Sequence, residues 1–83
     1  MVIWKDQIGT HGRYDAEWPD GSEIVMVAGQ GDYVTFWYEC DPEAEYTTRK
    51  FQVCWTGEPA PEGGKHIGTA MVQYLVCHVY EVF

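Results

Sequence analysis

Four carboxylates crowd one stretch of this 83-residue chain: Glu39, Asp41, Glu43 and Glu45. Clustered carboxylates can move protons or hold a hard cation. The spacing of an EF-hand loop is absent, and so is the glycine that such a loop needs. The cluster therefore reads first as a solvated acidic loop. Its alternative use is as a charged rim that meets a basic protein face. His11, His66 and His78 are well separated, and no two stand three or four positions apart. Cys77 and His78 are neighbours, so in a strand they point to opposite faces and cannot share an ion without distortion. No metal site is expected. A Cys–His nucleophile pair would have to join Cys54 or Cys40 to His66, and no local motif supports it. No catalytic residue is assigned and no cofactor is implied. Gly63-Gly64-Lys65 resembles part of a phosphate loop, but the full GxxxxGK(S/T) pattern is missing and no helix follows. Turn glycines are the simpler reading. Backbone N–H groups of the Gly57–Gly64 loop, with Lys65 and His66 beside it, could still bind one small anion.

These residues must be positioned by strands. Phe51, Val53 and Trp55 alternate with Gln52, Cys54 and Thr56, a period of two with one apolar face. Gly57 ends that run, and Pro59 and Pro61 cannot continue a hydrogen-bonded ladder. The same pattern predicts strands at Val2–Lys5, Arg13–Trp18, Glu23–Ala28, Tyr33–Cys40, Thr48–Thr56, Lys65–Gln73 and Tyr74–Phe83. Turn residues separate them at Asp6–Gly12, at Trp18-Pro-Asp-Gly-Ser22 and at Gly29-Gln-Gly-Asp32. Asp41-Pro42-Glu43-Ala44-Glu45 has room for one helical turn, with Asp41 as its N-cap. Glu23–Ala28 is apolar on both faces, which predicts a central strand. The expected fold is all-β: a small antiparallel β-sandwich or partly open barrel of six to seven short strands, in one domain over residues 1–83. Neighbouring segments are expected to pair in chain order.

Composition narrows the partners. Thirteen Asp and Glu against five Lys and Arg leave a net charge of −8. Phosphate backbones repel such a chain, so nucleic-acid binding is not expected. Four Trp, six Tyr and three Phe exceed what a core of this size needs. Some are expected at the surface, lining a pocket or a self-association face. Cys40, Cys54 and Cys77 are odd in number and lack a CxxC spacing, which predicts free thiols in a reducing compartment. No apolar run approaches the roughly 18 residues of a membrane span, and Met1-Val-Ile-Trp-Lys-Asp enters strand pattern without a signal sequence.

Ile3-Trp4-Lys5, the Trp18-Pro-Asp-Gly turn, Asp41-Pro-Glu-Ala-Glu45, Thr56-Gly-Glu-Pro59, Ile67-Gly-Thr69 and His78-Val-Tyr-Glu81 occur in this order. Together they resemble a family of small proteins from tailed phages and prophages, catalogued as a domain of unknown function. The chain departs from that pattern at Val72-Gln73-Tyr74, where the family carries a Gly-Gly hairpin, and at Glu58, where it often has His. The resemblance implies a phage gene product working in the host cytoplasm, with no enzyme activity and no site residues assigned, and analogy with other small phage proteins adds the expectation that it counters host defence. Three functions compete. In one, a homo-oligomer sequesters a nucleotide-type immune signal in aromatic-lined pockets. Trp37 and Trp55 would stack on bases. Arg13, Arg49, Lys50, Lys65 and His66 would meet phosphates, and Gly57, Gly63, Gly64 and Gly68 would offer backbone amides. In the second, Glu39, Asp41, Glu43 and Glu45 form the rim of an acidic inhibitor of a host defence protein. A structural phage protein without a ligand is the third possibility.

Overall fold

A computed structural model describes all residues, 1–83. It has seven strands and no helix: β1 (Val2–Ile8), β2 (Gly12–Pro19), β3 (Glu23–Gln30), β4 (Tyr33–Cys40), β5 (Tyr46–Trp55), β6 (Lys65–Val72) and β7 (Leu75–Val82). They form a sandwich of two antiparallel sheets, as expected, and the barrel does not close. One sheet has the order β1-β4-β3 and the other β2-β5-β7-β6.

Pairing in chain order is the part of the expectation that fails. Only β3–β4 and β6–β7 are hairpins; β1 pairs β4, β2 pairs β5 and β5 pairs β7. The chain crosses between sheets after β1, β2 and β4, because each crossing lets an apolar strand face the other layer instead of water. Asp41-Pro42-Glu43 makes one of these crossings. Asp41 Oδ1 accepts from the Glu43 amide at 3.0 Å and the Asp41 carbonyl from the Ala44 amide at 3.1 Å, a single capped turn. The strand expected over Glu23–Ala28 is an edge strand, not a central one. A bulge between Ile24 and Met26 leaves Val25 unpaired and both Val25 and Met26 exposed.

The core lies between the layers. Trp18 stacks on Tyr38 at 4.1 Å and meets Phe36 edge-on at 5.4 Å; Phe36 and Phe51 are 4.7 Å apart. Val34, Val53, Ala70, Val72, Cys77 and Val79 complete it. Contacts of this kind between buried rings are worth about 0.5–1.5 kcal/mol each beyond area burial. Cys40, Cys54 and Cys77 are free thiols, and all three are buried.

The two flanks of the sandwich differ. On one, β3 and β6 come together: a Cβ on Gly29 would collide with the Met71 carbonyl, and one on Gly68 would sit 3.3 Å from Val27 Cβ. On the other, β1 and β2 do not pack backbone to backbone. They are tied by a side-chain bond from Trp18 Nε1 to Asp6 Oδ2 at 2.8 Å.

Candidate functional site

The alternation of β5 and β7 sends Arg49 and Glu81 inward at the end of the sandwich. Arg49 Nε and Nη2 donate to Glu81 at 2.6 and 2.9 Å, and Nη1 donates to the Ser22 carbonyl at 2.7 Å. Its guanidinium lies 5.1 Å from the centre of the Trp18 ring. Every face of this fork is in use, so Arg49 closes the end of the core. Beside it, β3 and β6 part at two bulges, one at Val25 and one at Ile67. The gap is a cleft of about 420 Å³ lined by Ser22, Glu23, Ile24, Arg49, Lys65, His66, Ile67 and Glu81. Two carboxylates balance its two cations, and no aromatic platform stands in it.

Other candidates lie elsewhere. Trp55 is at the opposite end of β5. The His11 ring lies tilted against it with ring centres 4.4 Å apart, and the Trp55 indole donates to the Thr10 carbonyl at 2.8 Å. Glu58 closes that turn, accepting from the Trp55 amide at 2.7 Å and binding His11 Nε2 at 2.8 Å. The Trp55 amide first, and His11 second, hold the Glu58 carboxyl below its ordinary range. Gly57 stands at φ 96°, where only glycine is unstrained. The loop's amides are partly spent on itself: Glu58 N bonds the Trp55 carbonyl and Gly64 N the Pro61 carbonyl. Gly68 packs on Val27 and Gly63 turns the loop. Arg13 and Lys50 lie on the outer face of the four-stranded sheet, where Arg13 Nε donates to Gln52 Oε1 and Lys50 approaches Asp15 at 3.4 Å. Trp37 lies on the outer face of the other sheet. The structure thus brings Arg49, Lys65 and His66 to one cleft and spreads the remaining candidates over three surfaces.

One constellation has no precedent in the sequence pattern. Pairing of β5 with β7 sets Cys54 opposite His78, and pairing of β6 with β7 sets Thr69 opposite His78. His78 Nε2 bonds Thr56 Oγ1 at 2.8 Å, its Nδ1 bonds Thr69 Oγ1 at 3.2 Å, and Thr69 Oγ1 in turn meets His66 Nε2 at 3.2 Å. The Cys54 thiol donates to the Pro59 carbonyl at 3.6 Å rather than to an imidazole. Only the register of two strand pairs, which spacing does not encode, unites these residues. Burial pushes the Cys77 thiol above its ordinary value, and its Sγ donates to the Thr10 carbonyl. No group of three or more His, Cys, Asp or Glu is placed to hold a metal ion.

The most distinctive surface is the outer face of the β1-β4-β3 sheet. Register places Ile3, Lys5 and Gln7 of β1 beside Glu39, Trp37 and Thr35 of β4, and Glu23, Met26, Ala28 and Gln30 of β3 on the far side. Ile3, Val25, Met26 and Tyr33 are 60%, 55%, 50% and 51% exposed, and Trp37 is half-buried among them. The acidic residues gather at one end of this face. Glu23 and Glu39 stand directly opposite each other, and the Asp41–Glu45 loop follows. Glu23, Glu39, Asp41, Glu43 and Glu45 have no ion-pair partner; the three ion pairs of the protein are His11–Glu58, Arg49–Glu81 and Lys50–Asp15.

The profile of the family described as Domain of unknown function (DUF7352) matches residues 1–83, and the chain belongs to that family. No curated protein and no solved structure matches the chain.

Proposed function

We propose that this member of the family is a protein-binding module, and that the outer face of its β1-β4-β3 sheet docks a partner bearing an apolar patch flanked by Lys and Arg. One observation carries the reading: four exposed apolar side chains, Ile3, Val25, Met26 and Tyr33, share a face with carboxylates that have no cation of their own. Apolar residues supply the contact area, and unpaired charge at the rim steers approach and rejects acidic surfaces. Opposite-facing carboxylates cost stability in the free protein, a cost that a basic partner removes. The resemblance to small phage proteins makes a host defence protein in the cytoplasm the partner class to test first.

The competing proposal, sequestration of a nucleotide, would use the cleft between Ile24 and Ile67. Its support is the approach of Lys65 and His66 to Arg49. Against it stand Glu23 and Glu81 in the same lining.

Capture from bacterial lysate by the immobilised protein separates the two. The wild type should retain a discrete basic protein, and retention should weaken as salt rises. Met26→Lys and Glu39→Lys should each reduce capture while the β-sheet spectrum is unchanged. Capture by both variants equal to that of the wild type would end the docking reading. A rise in melting temperature with a cyclic or ADP-ribose-type nucleotide would favour the cleft instead.

A further inference from the structure

We propose that two copies of the chain associate through β1, which pairs antiparallel with β1 of the second copy about a two-fold axis at Trp4. This inference is independent of the docking reading above. A sandwich of two open sheets has four edges, and unprotected edges pair with other chains. Three edges here carry protection. β3 and β6 are interrupted by bulges at Val25 and Ile67 and cover each other along Val27–Gly29 and Gly68–Met71. β2 carries Asp15 and Glu17 and ends in Pro19. β1 has no bulge and no proline, and its two charges, Lys5 and Asp6, are of opposite sign. It runs seven residues, Val2–Ile8, in unbroken register with β4, and contains neither Gly nor Pro.

Lys5 is drawn away from the open side, whereas Asp6 keeps one oxygen on the strand itself, its Oδ1 accepting from the Gln7 amide at 2.8 Å. Lys5 reaches across the sheet to Gln30 Oε1 at 2.9 Å, and Asp6 turns inward to Trp18 Nε1 at 2.8 Å. Val2, Ile3 and Trp4 remain exposed along the edge. The strand is neutral overall, although the protein carries −8.

Residue types choose the axis. An axis at Lys5 or Asp6 puts like charges directly opposite, which destabilises a ladder. An axis at Ile3 pairs only Met1 to Lys5. An axis at Trp4 pairs Met1 with Gln7, Val2 with Asp6, and Ile3 with Lys5, using most of the strand. It also keeps the acidic loops apart. Val2 lies beside Cys40, so the Asp41–Glu45 loops of the two copies fall about 14 Å apart along the strands and about 14 Å across them. Their separation of roughly 20 Å exceeds twice the Debye length at physiological salt, so the net charge does not oppose this pairing.

The test is sedimentation of the full chain over about 5 to 500 μM, with an expected dissociation constant in the micromolar range for so small an interface. The average mass should climb from 9.5 kDa towards twice that value. Ile3→Lys sets a new lysine against Lys5 of the other copy twice per dimer, and should weaken association about tenfold or more. Asp15→Lys on β2 should leave it unchanged. Oxidation of Trp4→Cys should give a covalent dimer, because directly opposed strand residues meet disulfide geometry, whereas Tyr33→Cys should not. A mass of 9.5 kDa at every concentration overturns the proposal. So does a dimer that survives Ile3→Lys, or one that cross-links equally well through position 33.

Discussion

Replacing Glu39 by Gln should raise stability and lower binding together. Glu39 stands opposite Glu23 across β3 and β4 and opposite Ile3 across β1 and β4, on a solvent-facing surface where neither carboxylate has an ion-pair partner. Directly opposed side chains have Cβ atoms about 5 Å apart, and two unit charges at that distance repel by about 0.8 kcal/mol in water. Removing one charge should therefore add about 0.5 kcal/mol, since the flexible carboxylates already splay apart. Glu39→Lys turns repulsion into attraction and should add about twice as much. A chain of 83 residues unfolds with an entropy near 0.17 kcal/mol per degree, so the melting temperature should rise by about 3 °C for Gln and about 6 °C for Lys. Calorimetry at low salt and at about 1 M salt is the assay, because screening should shrink both gains to a small remainder. A loss of stability in either variant would refute the argument. So would a gain that salt does not change, which would mean that propensity or packing, not charge, is responsible.

Burial, and then the charge of Asp6, push the Tyr38 hydroxyl from 10.0 up to about 12. The folded state keeps this proton longer than the unfolded chain, so its contribution is intact below pH 10 and is lost as pH rises from there to about 12. The loss should be of order 2 kcal/mol, read by denaturant unfolding across that window, and Tyr38→Phe should abolish that share of it. Arg49→Ala should cost about 1–3 kcal/mol by leaving the Glu81 carboxylate without its partner at the end of the core. Arg49→Met combined with Glu81→Leu should recover most of the loss in a double-mutant cycle; independent, additive losses would contradict the pairing. Gln73 turns the β6–β7 hairpin at φ 57°, a conformation that costs a non-glycine residue about 1 kcal/mol. Gln73→Gly should recover part of that, less the side-chain bond it loses to Asp32, and thermal melts of Gln73→Gly and Asp32→Ala will separate the two effects.

The strands were largely legible in the sequence, and their partners were not. Tyr33–Cys40 is β4 to the residue, because Val34, Phe36, Tyr38 and Cys40 alternate inward while Tyr33, Trp37 and Glu39 alternate outward. β1 runs on through Asp6–Ile8, although Asp and Gln read as turn residues, because Asp6 finds the Trp18 indole and Gln7 finds Thr35. The Gly29–Asp32 turn shrinks to Gly31 and Asp32. The β6–β7 turn carries no glycine at all and relies on Gln73 held by Asp32 across the sandwich. Bulges defeat periodicity outright. Ile24, Met26 and Ala28 look like one face, but the extra residue Val25 sends Ile24 inward and Met26 outward. Candidate side chains were recognised by type, and type does not reveal prior engagement. Arg49 reads as a phosphate ligand until Glu81, seventh on β7, takes its fork.

Charge in this protein settles where association can occur as well as keeping it in solution. Carboxylates lie on the β2 edge and on the Asp41–Glu45 loop, where repulsion discourages contact between copies. They are balanced along β1, the edge whose backbone is open. Exposed aromatic and aliphatic side chains occur on both sheets, with different polar neighbours. Trp4 and Ile3 sit on β1, and Trp37, Tyr33 and Met26 on the face beside it, whereas the outer face of the other sheet is laced with polar pairs such as Arg13–Gln52 and Thr48–Glu17. Exposed apolar side chains also occur on the other sheet, at Tyr46, Trp55 and Met71, but on the β1-β4-β3 face they adjoin carboxylates without an ion-pair partner. Acidic residues that repel every approach except that of a basic surface argue that this face is built to be covered.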